Sequence, residues 1–455
     1  MKAIDRLSVI QHKSKINKDW KHNDLFRILR KNDIWITAYK NIKTDNRTLT
    51  LGIKKKTLDG LSIKKLVKLQ NEVINENYQF KSINKISTLK LNQKKRPTEL
   101  LTIDDKIVQE VIYMILESIY KPCFSKKSFS FPIESEIYDL FKDVKSRFQS
   151  VNWMIKGNIK SILLNIDNKR LCNILGKKIQ DIRFINLIRK LLKHGIFDYN
   201  QFTKFSFEVQ QENMIYLIFA NIYFNDLDKW IENKIKLLYK IYKNQYNKVD
   251  INLSFKIEYV RYINDWMIGI KGNQILAKEL KIEISHFIMT YFKQPINSAK
   301  IEIIDLRSGK VEFVRYEIYK LRNMKVNSLT KFNIRHKKND RLRFDIPMNF
   351  VLQKIKEKGY IKKLVKGYRS ISKVDYTTLN DITIIKHFAQ IWKEFFNYYS
   401  NCSNRSKLQY IYSLLHISCA MTLSHRHRSS IKKIFNKYGK FFRTNFGKYR
   451  IEFIY

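Results

Sequence analysis

The segment from residue 256 to residue 270 carries the strongest local folding signal of this chain, because it holds two β-rich runs with a polar pair between them. The first run is Ile257 to Ile263 and the second is Trp266 to Ile270, with Asn264 and Asp265 between them. Runs of β-branched and aromatic residues around a two-residue polar turn are typical of a tight antiparallel hairpin. The sequence therefore predicts a β-hairpin with Asn264-Asp265 at its turn.

Helical periodicity dominates much of the remaining chain. An amphipathic helix is predicted near 104–119, where apolar residues recur at helical spacing and Asp104 or Asp105 is available at the start. Residues 151–167 have the pattern of a buried strand followed by a turn. Further helices are predicted up to about 194, near 212–236 and 274–293, and from 348 onward, with short strands up to about 320 and Ser429 or Ser430 capping the last helix. The predicted fold class is α+β.

The net charge of the chain restricts the partners that it can have. Its 455 residues include 88 Lys and Arg against 41 Asp and Glu, which gives a formal net charge of +47. Such self-repulsion is tolerated most easily when a polyanion neutralises it. The cations are spread along the chain among Tyr, Phe and Trp, a pattern that favours a surface for nucleic-acid backbone and unstacked bases over a local membrane patch. An AT-rich genome would explain part of the Lys content but not the scarcity of acids.

Cysteine spacing and hydropathy exclude several other classes of protein. Cys123, Cys172, Cys402 and Cys419 show no Cys-x-x-Cys spacing, which argues against a zinc site and against a disulfide framework. No apolar run reaches about 18 residues, so no membrane-spanning helix is expected. The N-terminus has neither a signal-peptide core nor the composition of a transit peptide. Together with the AT-biased composition, this favours synthesis inside an organelle or a bacterium.

A series of short motifs resembles the group II intron maturases, which join a reverse-transcriptase domain to a helical maturase module called domain X. The matching motifs are, in chain order, Trp35 to Tyr39, Thr50 to Ile53, Lys95 to Pro97, Asp105 to Glu110, Ala220 to Tyr223, Leu227 to Lys229, Tyr259 to Tyr262, Tyr398-Tyr399, Asn404, Ser418, Thr422 to Arg428 and Lys437 to Lys440. The resemblance covers most of the chain and is greatest to plastid-encoded maturases of the euglenoid type.

The resemblance implies a right-hand arrangement, with reverse-transcriptase fingers and palm followed by an α-helical thumb or domain X. It divides the chain into an N-terminal helical extension of the fingers at 1–90, a degenerate fingers and palm region at 91–330, and domain X at 340–445. The basic stretch that begins at Arg335 marks the expected border before domain X, near 325–345.

The chain departs from the family pattern where the polymerase chemistry should lie. Nucleotidyl transfer in this family uses two divalent ions, which need anionic oxygens. Two of the family's metal-binding acids align with Asn158 and Asn264, so that Asp265 alone keeps a carboxylate of that turn. An amide oxygen brings no charge to offset two dications and a triphosphate. The resemblance therefore implies no catalytic residue and no metal site, and Asp265 is interpreted as a turn residue suited to hairpin geometry.

RNA-binding residues are predicted in two basic stretches. In the N-terminal half they are Lys94, Lys95 and Arg96, for which a solvated basic loop is the alternative. In the C-terminal half they are Thr422, Ser424, Arg426 and Arg428, followed by Lys432 and Lys433 of the last helix. The two hydroxyls would contact phosphate oxygens, and the two arginines are expected on the same side of the chain. His425 and His427 alternate without nearby acids or cysteines, which argues against a metal site.

These observations lead to one functional hypothesis and two alternatives. The hypothesis is a splicing factor that binds a group II or related organellar intron in a plastid and stabilises its active fold, with polymerase activity lost. Such a protein needs no cofactor of its own, whereas the intron RNA needs Mg²⁺, and other organellar splicing factors are expected as partners. The alternatives are an active RNA-directed DNA polymerase with unusual metal ligands and a general RNA chaperone without preference for introns.

Overall fold

A computed structural model of the chain describes residues 1–44, 62–80, 84–88, 96–100, 102–129, 134–194, 214–245, 255–293, 300–321, 342–442, 444–446 and 449–451. These residues form two compact units. The first unit comprises Met1–Pro132 and Ile155–Ile303, and the second comprises Ile133–Met154 and Ile304–Tyr455. Both units take residues from two separate stretches of the chain, whereas the three predicted domains are consecutive; the predicted borders stay predictions.

The described residues contain fifteen α-helices. They are α1 Ala3–Ile16, α2 Phe26–Leu29, α3 Asn32–Thr44, α4 Ile63–Ile74, α5 Ile103–Tyr120, α6 Glu134–Arg147, α7 Lys160–Leu164, α8 Asn168–Gly176, α9 Ile182–Lys193, α10 Met214–Gln245, α11 Gln274–Phe292, α12 Met348–Glu357, α13 Asp381–Tyr399, α14 Lys407–Arg426 and α15 Ile431–Tyr438. None of them is long and apolar enough to cross a bilayer. Ser430 caps α15 by accepting a hydrogen bond from the Lys433 N–H at 3.4 Å, as predicted.

Strands occur in five separate sheets of the described chain. They are β1 Asn84–Thr88, β2 Arg96–Leu100, β3 Ser128–Phe129, β4 Trp153–Asn158, β5 Lys256–Tyr262, β6 Asp265–Lys271, β7 Lys300–Asp305, β8 Val311–Phe313, β9 Tyr316–Lys320, β10 Leu342–Asp345, β11 Ile361–Leu364, β12 Gly367–Ser370, β13 Thr444–Phe446 and β14 Tyr449–Ile451. The largest sheet has the order β3-β5-β6-β4-β7, and a second sheet has the order β10-β9-β8. The predicted α+β class is confirmed.

Helix α5 is the central helix of the first unit, and α1, α3 and α10 pack against it. Its apolar residues are buried on more than one face, among them Ile107, Ile112 and Ile115. The predicted range of 104–119 is confirmed to within one residue at each end. Asp104 and Asp105 lie in its first turn, as predicted, and the cap is Thr102, whose hydroxyl accepts a hydrogen bond from the Asp105 N–H at 3.1 Å. The buried Asp105 carboxylate accepts hydrogen bonds from the hydroxyls of Thr102 and Tyr78, each at 2.6 Å.

The hairpin β5–β6 confirms the strongest prediction from the sequence, but its turn lies one residue earlier than predicted. Tyr262 pairs with Asp265, so the turn residues are Ile263 and Asn264. Ile263 has a φ of 53°, which is costly for a β-branched residue. Three hydrogen bonds stabilise this conformation. The Ile263 N–H donates to the Phe129 carbonyl at 3.1 Å, the Ile263 carbonyl accepts from the Arg261 guanidinium at 2.7 Å, and the Asn264 carbonyl accepts from the Ile159 N–H at 2.9 Å.

The second unit combines the sheet β8–β10 with helices α12 to α15. Tyr399 is fully buried there, and its hydroxyl donates to the Arg315 carbonyl at 3.4 Å. The neighbouring Tyr398 is half-buried, and its hydroxyl donates to the Val314 carbonyl at 2.8 Å, so both tyrosine hydroxyls contact the segment between β8 and β9. Helices were expected throughout from about residue 348, and the two-stranded hairpin β11–β12 at 361–370 was not predicted.

Candidate nucleic-acid interface

The structure brings Asn158 and Asp265 together at the turn of the hairpin β5–β6. Asn158 is the last residue of β4 and Asp265 is the first residue of β6, and both side chains are half-buried. The Asn158 amide nitrogen donates a hydrogen bond to the Asp265 carboxylate, while the Asn158 amide oxygen accepts from the Lys160 N–H at 2.9 Å. Asn264 lies beside them, and its carbonyl binds the Ile159 N–H. The three positions identified from the sequence are therefore neighbours in space.

This arrangement offers a single carboxylate among the three positions, and an amide already donates to it. Asp167, the next acid along the chain, accepts hydrogen bonds from the N–H groups of Lys169 and Arg170 and so caps helix α8. Within the described ranges, no group of three or more His, Cys, Asp or Glu side chains is placed to hold a metal ion. The donor set at this turn is neutral except for Asp265, whereas paired divalent ions need several anionic oxygens.

A fully buried ion pair lies next to the same turn. This pair was not predicted. The Arg261 guanidinium donates two hydrogen bonds to the Asp228 carboxylate, at 2.8 and 2.6 Å, and both side chains are 1% exposed. Arg261 also donates to the Asn221 side-chain oxygen at 3.1 Å, and the Tyr259 hydroxyl donates to Asp228 at 2.6 Å. Burial opposes the charge on Arg261, but Asp228 outweighs it and raises the pKa of the guanidinium. This network fixes the hairpin to helix α10.

A sequence signal for this pair exists, although it does not identify the partner. Arg261 interrupts an otherwise apolar strand, and Asp228 lies at an inward position of a largely apolar helix. Charged residues are almost never fully buried unless they are paired. An oppositely charged partner is therefore expected for each of the two residues, but only the fold shows that Arg261 and Asp228 pair with each other.

The predicted N-terminal RNA contacts are only partly within the described structure. Lys94 and Lys95 lie outside the described residues. Arg96 begins strand β2, where it pairs with Thr88 of β1. In the sequence it directly follows Lys94 and Lys95. The prediction that it contacts RNA stays a prediction.

Thr422 and Ser424 lie on helix α14, and the structure corrects the expected role of their hydroxyls. Thr422 is fully buried; its hydroxyl donates to the Ser418 carbonyl at 2.7 Å and accepts from the Lys373 N–H at 2.9 Å. This hydroxyl cannot reach a phosphate in solvent, because it ties α14 to the segment that follows strand β12. The Ser424 side chain is half-buried and donates to the Met421 carbonyl at 2.9 Å.

Asp381, at the first position of α13, contacts residues from the end of helix α14, from the segment after it and from α15. Its carboxylate accepts hydrogen bonds from Arg426 at 2.9 Å and from the Tyr438 hydroxyl, and it lies 2.7 Å from His427 Nε2. Lys437 adds a charge at 3.7 Å. Burial by itself would raise the pKa of Asp381, but Tyr438, His427 and Lys437 outweigh it and lower that pKa. This ion pair was not predicted, and the prediction that Arg426 contacts RNA stays a prediction.

Arg428, Lys432 and Lys433 form the part of the predicted C-terminal set that faces solvent; we call these three residues the α15 cation group. All three are exposed, and none has an ion pair to another residue that the structure describes. Helix α14 ends at Arg426, and Arg428 has a φ of 46°; the expectation that the two arginines lie on the same side of the chain stays a prediction. Exposed cations without acidic partners suit contact with phosphate.

Comparison with known proteins identifies a family match in the C-terminal quarter of the chain. Residues 339–452 match the family model described as type II intron maturase. Over 478 residues the chain is 26% identical to the group II intron-encoded protein LtrA of Lactococcus lactis, covering 95% of this chain and 79% of LtrA. It is 28% identical over 474 residues to maturase K of Physcomitrium patens, covering 95% of this chain and 89% of that protein.

Similarity also extends to proteins that are considerably longer. The chain is 27% identical over 446 residues to an uncharacterized 91 kDa protein in the cob intron of Schizosaccharomyces pombe. That alignment covers 90% of this chain but 54% of the yeast protein, so the chain spans about half the length of this relative.

Proposed function

We propose that the chain is a splicing factor that binds and stabilises the active fold of a group II or related intron. Two findings support this proposal: residues 339–452 match the type II intron maturase family model, and the similar proteins include a group II intron-encoded protein and maturase K. The observation that carries the proposal is the family match over 339–452, the region that contains the exposed α15 cation group. The chain has a net charge of +47, which suits a polyanionic partner.

In the proposed mechanism the intron RNA performs both transesterifications, and the protein shifts the folding equilibrium of the RNA. A protein that binds the active conformation more tightly than the alternatives increases the population of that conformation. Binding would use phosphate and 2′-hydroxyl contacts, because proteins recognise structured RNA chiefly through these groups. The Mg²⁺ in this mechanism belongs to the intron, and the protein supplies neither a nucleophile nor a metal ligand.

We further propose that the chain has a right-hand arrangement in which degenerate reverse-transcriptase fingers and palm precede an α-helical thumb or domain X, and that polymerisation is lost. The position of the hairpin β5–β6 next to strand β4 supports a palm. The hydrogen bond from the Asn158 amide to the Asp265 carboxylate supports the loss of polymerase activity. Without two carboxylates the site lacks the charge to hold paired divalent ions. Each 1.4 kcal/mol of lost transition-state stabilisation reduces the rate roughly tenfold.

The test is self-splicing of a panel of group II intron transcripts at limiting Mg²⁺, with and without the purified chain. We expect the protein to raise the splicing rate of at least one transcript, and the variant Asn158→Asp/Asn264→Asp to raise it equally, since the palm acids play no part. No primer extension on an RNA template is expected from the wild-type chain. Synthesis of cDNA that disappears in Asp265→Ala would instead establish the polymerase alternative.

A competition arm separates this function from that of a general RNA chaperone. Bulk structured RNA at raised salt should displace a chaperone that relies on phosphate contacts alone, because such contacts weaken steeply with salt. Retention of the intron under these conditions is the expected result for a maturase. Equal displacement from every intron of the panel would favour the chaperone.

Action in a plastid, together with other organellar splicing factors, is part of the same proposal. It is supported by the Lys-, Asn- and Ile-rich composition and by the similarity to maturase K. The genomic position of the reading frame tests it. A frame inside an intron of a plastid gene would support the proposal, and a frame in a nuclear chromosome would contradict it.

A further inference from the structure

The hairpin β11–β12 projects from the second unit with a combination of residues that stability alone does not explain. Lys362 pairs across the hairpin with Arg369, Lys363 pairs with Tyr368, and Leu364 pairs with Gly367. The turn is formed by Val365 and Lys366.

The base of this hairpin is anchored in the core. Ile361 is 1% exposed, and the buried Ser370 hydroxyl donates to the Leu414 carbonyl of α14 at 2.8 Å. The Ile371 N–H donates to the Tyr360 carbonyl at 3.0 Å, and the Tyr360 ring packs edge-on against Phe388 of α13. The two strands are therefore held at one end by helices α13 and α14.

The outer part of the hairpin is cationic on both strands. Lys362, Lys363, Lys366 and Arg369 are exposed, and the chain has no acid between Glu357 and Asp375. Lys362 and Arg369 lie directly opposite each other, and like charges at such positions destabilise an antiparallel pair. None of these four cations has an ion pair to a residue in the described ranges. A polyanion bound across the hairpin would relieve this repulsion.

The tip of the hairpin is apolar although it is exposed. Val365 is 104% exposed and Leu364 is 43% exposed. Two-residue hairpin turns ordinarily carry Gly, Asn or Asp, because Gly has no Cβ and Asn and Asp tolerate positive φ. Here the positive φ falls on Gly367, at 102°, which leaves the turn itself free to carry Val365. Two adjacent apolar side chains surrounded by four cations resemble the wedges with which proteins enter a nucleic-acid groove.

We propose that the hairpin β11–β12 places Leu364 and Val365 in the minor groove of an RNA duplex, while its four cations contact phosphates on either side. The inference rests on the proposed function and names the RNA element that this hairpin recognises. The A-form minor groove is wide and shallow, so a two-residue tip can reach the sugars and base edges. An anionic bilayer is a poorer partner, because even a single myristoyl chain, which is far more apolar than two side chains, gives only marginal membrane binding.

The experiment measures binding of the full-length chain to three probes across a range of salt concentrations. The probes are a blunt mixed-sequence RNA duplex, its separated strands, and vesicles that contain phosphatidylserine. The variants are Lys362→Ala/Arg369→Ala and Leu364→Ser/Val365→Ser. The matched control is Lys236→Ala/Lys240→Ala, which removes the same charge from exposed positions of helix α10.

The charge variant should bind the duplex more weakly and lower the slope of log K against log salt by roughly 1 to 2, because two phosphate contacts are lost. The tip variant should lose about threefold to tenfold in affinity at an unchanged slope, because the contacts that it removes are apolar. The α10 control should retain duplex affinity to within about twofold. The charge variant should also unfold in urea at the same or a higher concentration than wild type, since a cross-strand repulsion is removed.

Three results of the binding experiment would each overturn the hairpin proposal. They are duplex binding of the tip variant equal to wild type, an equal loss of affinity in the charge variant and the α10 control, and a tip-dependent preference for single strands or for vesicles. The splicing assay separates this failure from failure of the proposed function. If wild type and both hairpin variants promote splicing equally, the hairpin inference alone is overturned. If duplex binding depends on the hairpin but wild type does not promote splicing, the maturase proposal alone is overturned.

Discussion

Gly157, in strand β4, has no side chain because the indole ring of Trp266 occupies the space. Trp266 is fully buried, and a methyl group at Gly157 would overlap its ring. We expect Gly157→Ala to destabilise the chain by about 1–3 kcal/mol, since a packed core cannot absorb the added volume. The matched control is Gly176→Ala, at the last residue of helix α8, where nothing lies within 4 Å of the new methyl.

Urea denaturation of both variants tests this packing argument. The control should be neutral or stabilising by up to about 1 kcal/mol, because Ala is a better helix former than Gly. A Gly157→Ala variant as stable as wild type would show that Trp266 can move aside.

The buried pair of Arg261 and Asp228 leads to a second prediction at this scale. Asp228→Asn leaves the guanidinium buried without its counter-charge and should lower the free energy of unfolding by about 3–5 kcal/mol. Glu76→Gln is the control, because Glu76 and Arg183 form an ion pair at 2.5 Å whose side chains are 45% and 42% exposed. Removal of that charge should cost less than about 1 kcal/mol. Equal effects in urea denaturation would contradict a special role for the buried pair.

At the scale of elements, Asp381 joins the start of α13 to the end of α14 and to α15. Its side chain is 16% exposed and contacts Arg426, His427, Lys437 and Tyr438. Asp381→Asn should therefore loosen α15. Relative to wild type, amide hydrogen exchange should become faster in residues 431–438 but not in α5. Faster exchange throughout the chain, or none, would contradict this local role.

The pH dependence of the Asp381 contacts follows from the direction of the pKa shift. Because the folded-state pKa of Asp381 is lowered below its ordinary value of 3.8, its contribution to stability is complete at pH values above the unfolded pKa. That contribution disappears as pH falls through the folded pKa. The difference in unfolding free energy between wild type and Asp381→Asn should accordingly be large at neutral pH and vanish in acid. If this difference in unfolding free energy instead grows as pH falls, the pKa of Asp381 is raised in the folded state rather than lowered.

At the scale of the whole molecule, the net charge of +47 predicts two opposite effects of salt. Added KCl should raise the thermal midpoint of the free chain between about 0.05 and 0.5 M, because screening reduces self-repulsion. The same salt should lower RNA affinity, by roughly a thousandfold or more if six or more phosphates are contacted. Scanning calorimetry and filter binding in one buffer series test both effects. A midpoint that does not respond to KCl would mean that acids and bases are already locally balanced.

Several features of this protein were predictable from local sequence. The hairpin at 256–270, helix α5 and the Ser430 cap follow from periodicity and from residue preferences that act within a few positions. The shortage of carboxylates at Asn158 and Asn264 is likewise a property of the sequence alone. The hairpin β11–β12 was missed because its strands are four residues long, too short for an alternating pattern to stand out among the helices.

The amino-acid sequence by itself thus determined the α+β class, the strongly cationic character and the presence of a single acid, Asp265, among the positions Asn158, Asn264 and Asp265. Tertiary structure decided the turn position at Ile263-Asn264, the hydrogen bond from Asn158 to Asp265, the burial of Thr422 and the pairing of Arg426 with Asp381. The physical reason is the same in each case. Periodicity and residue preference act over one or two turns of chain, whereas burial and the choice of a hydrogen-bond partner depend on residues tens of positions away that only the fold brings together.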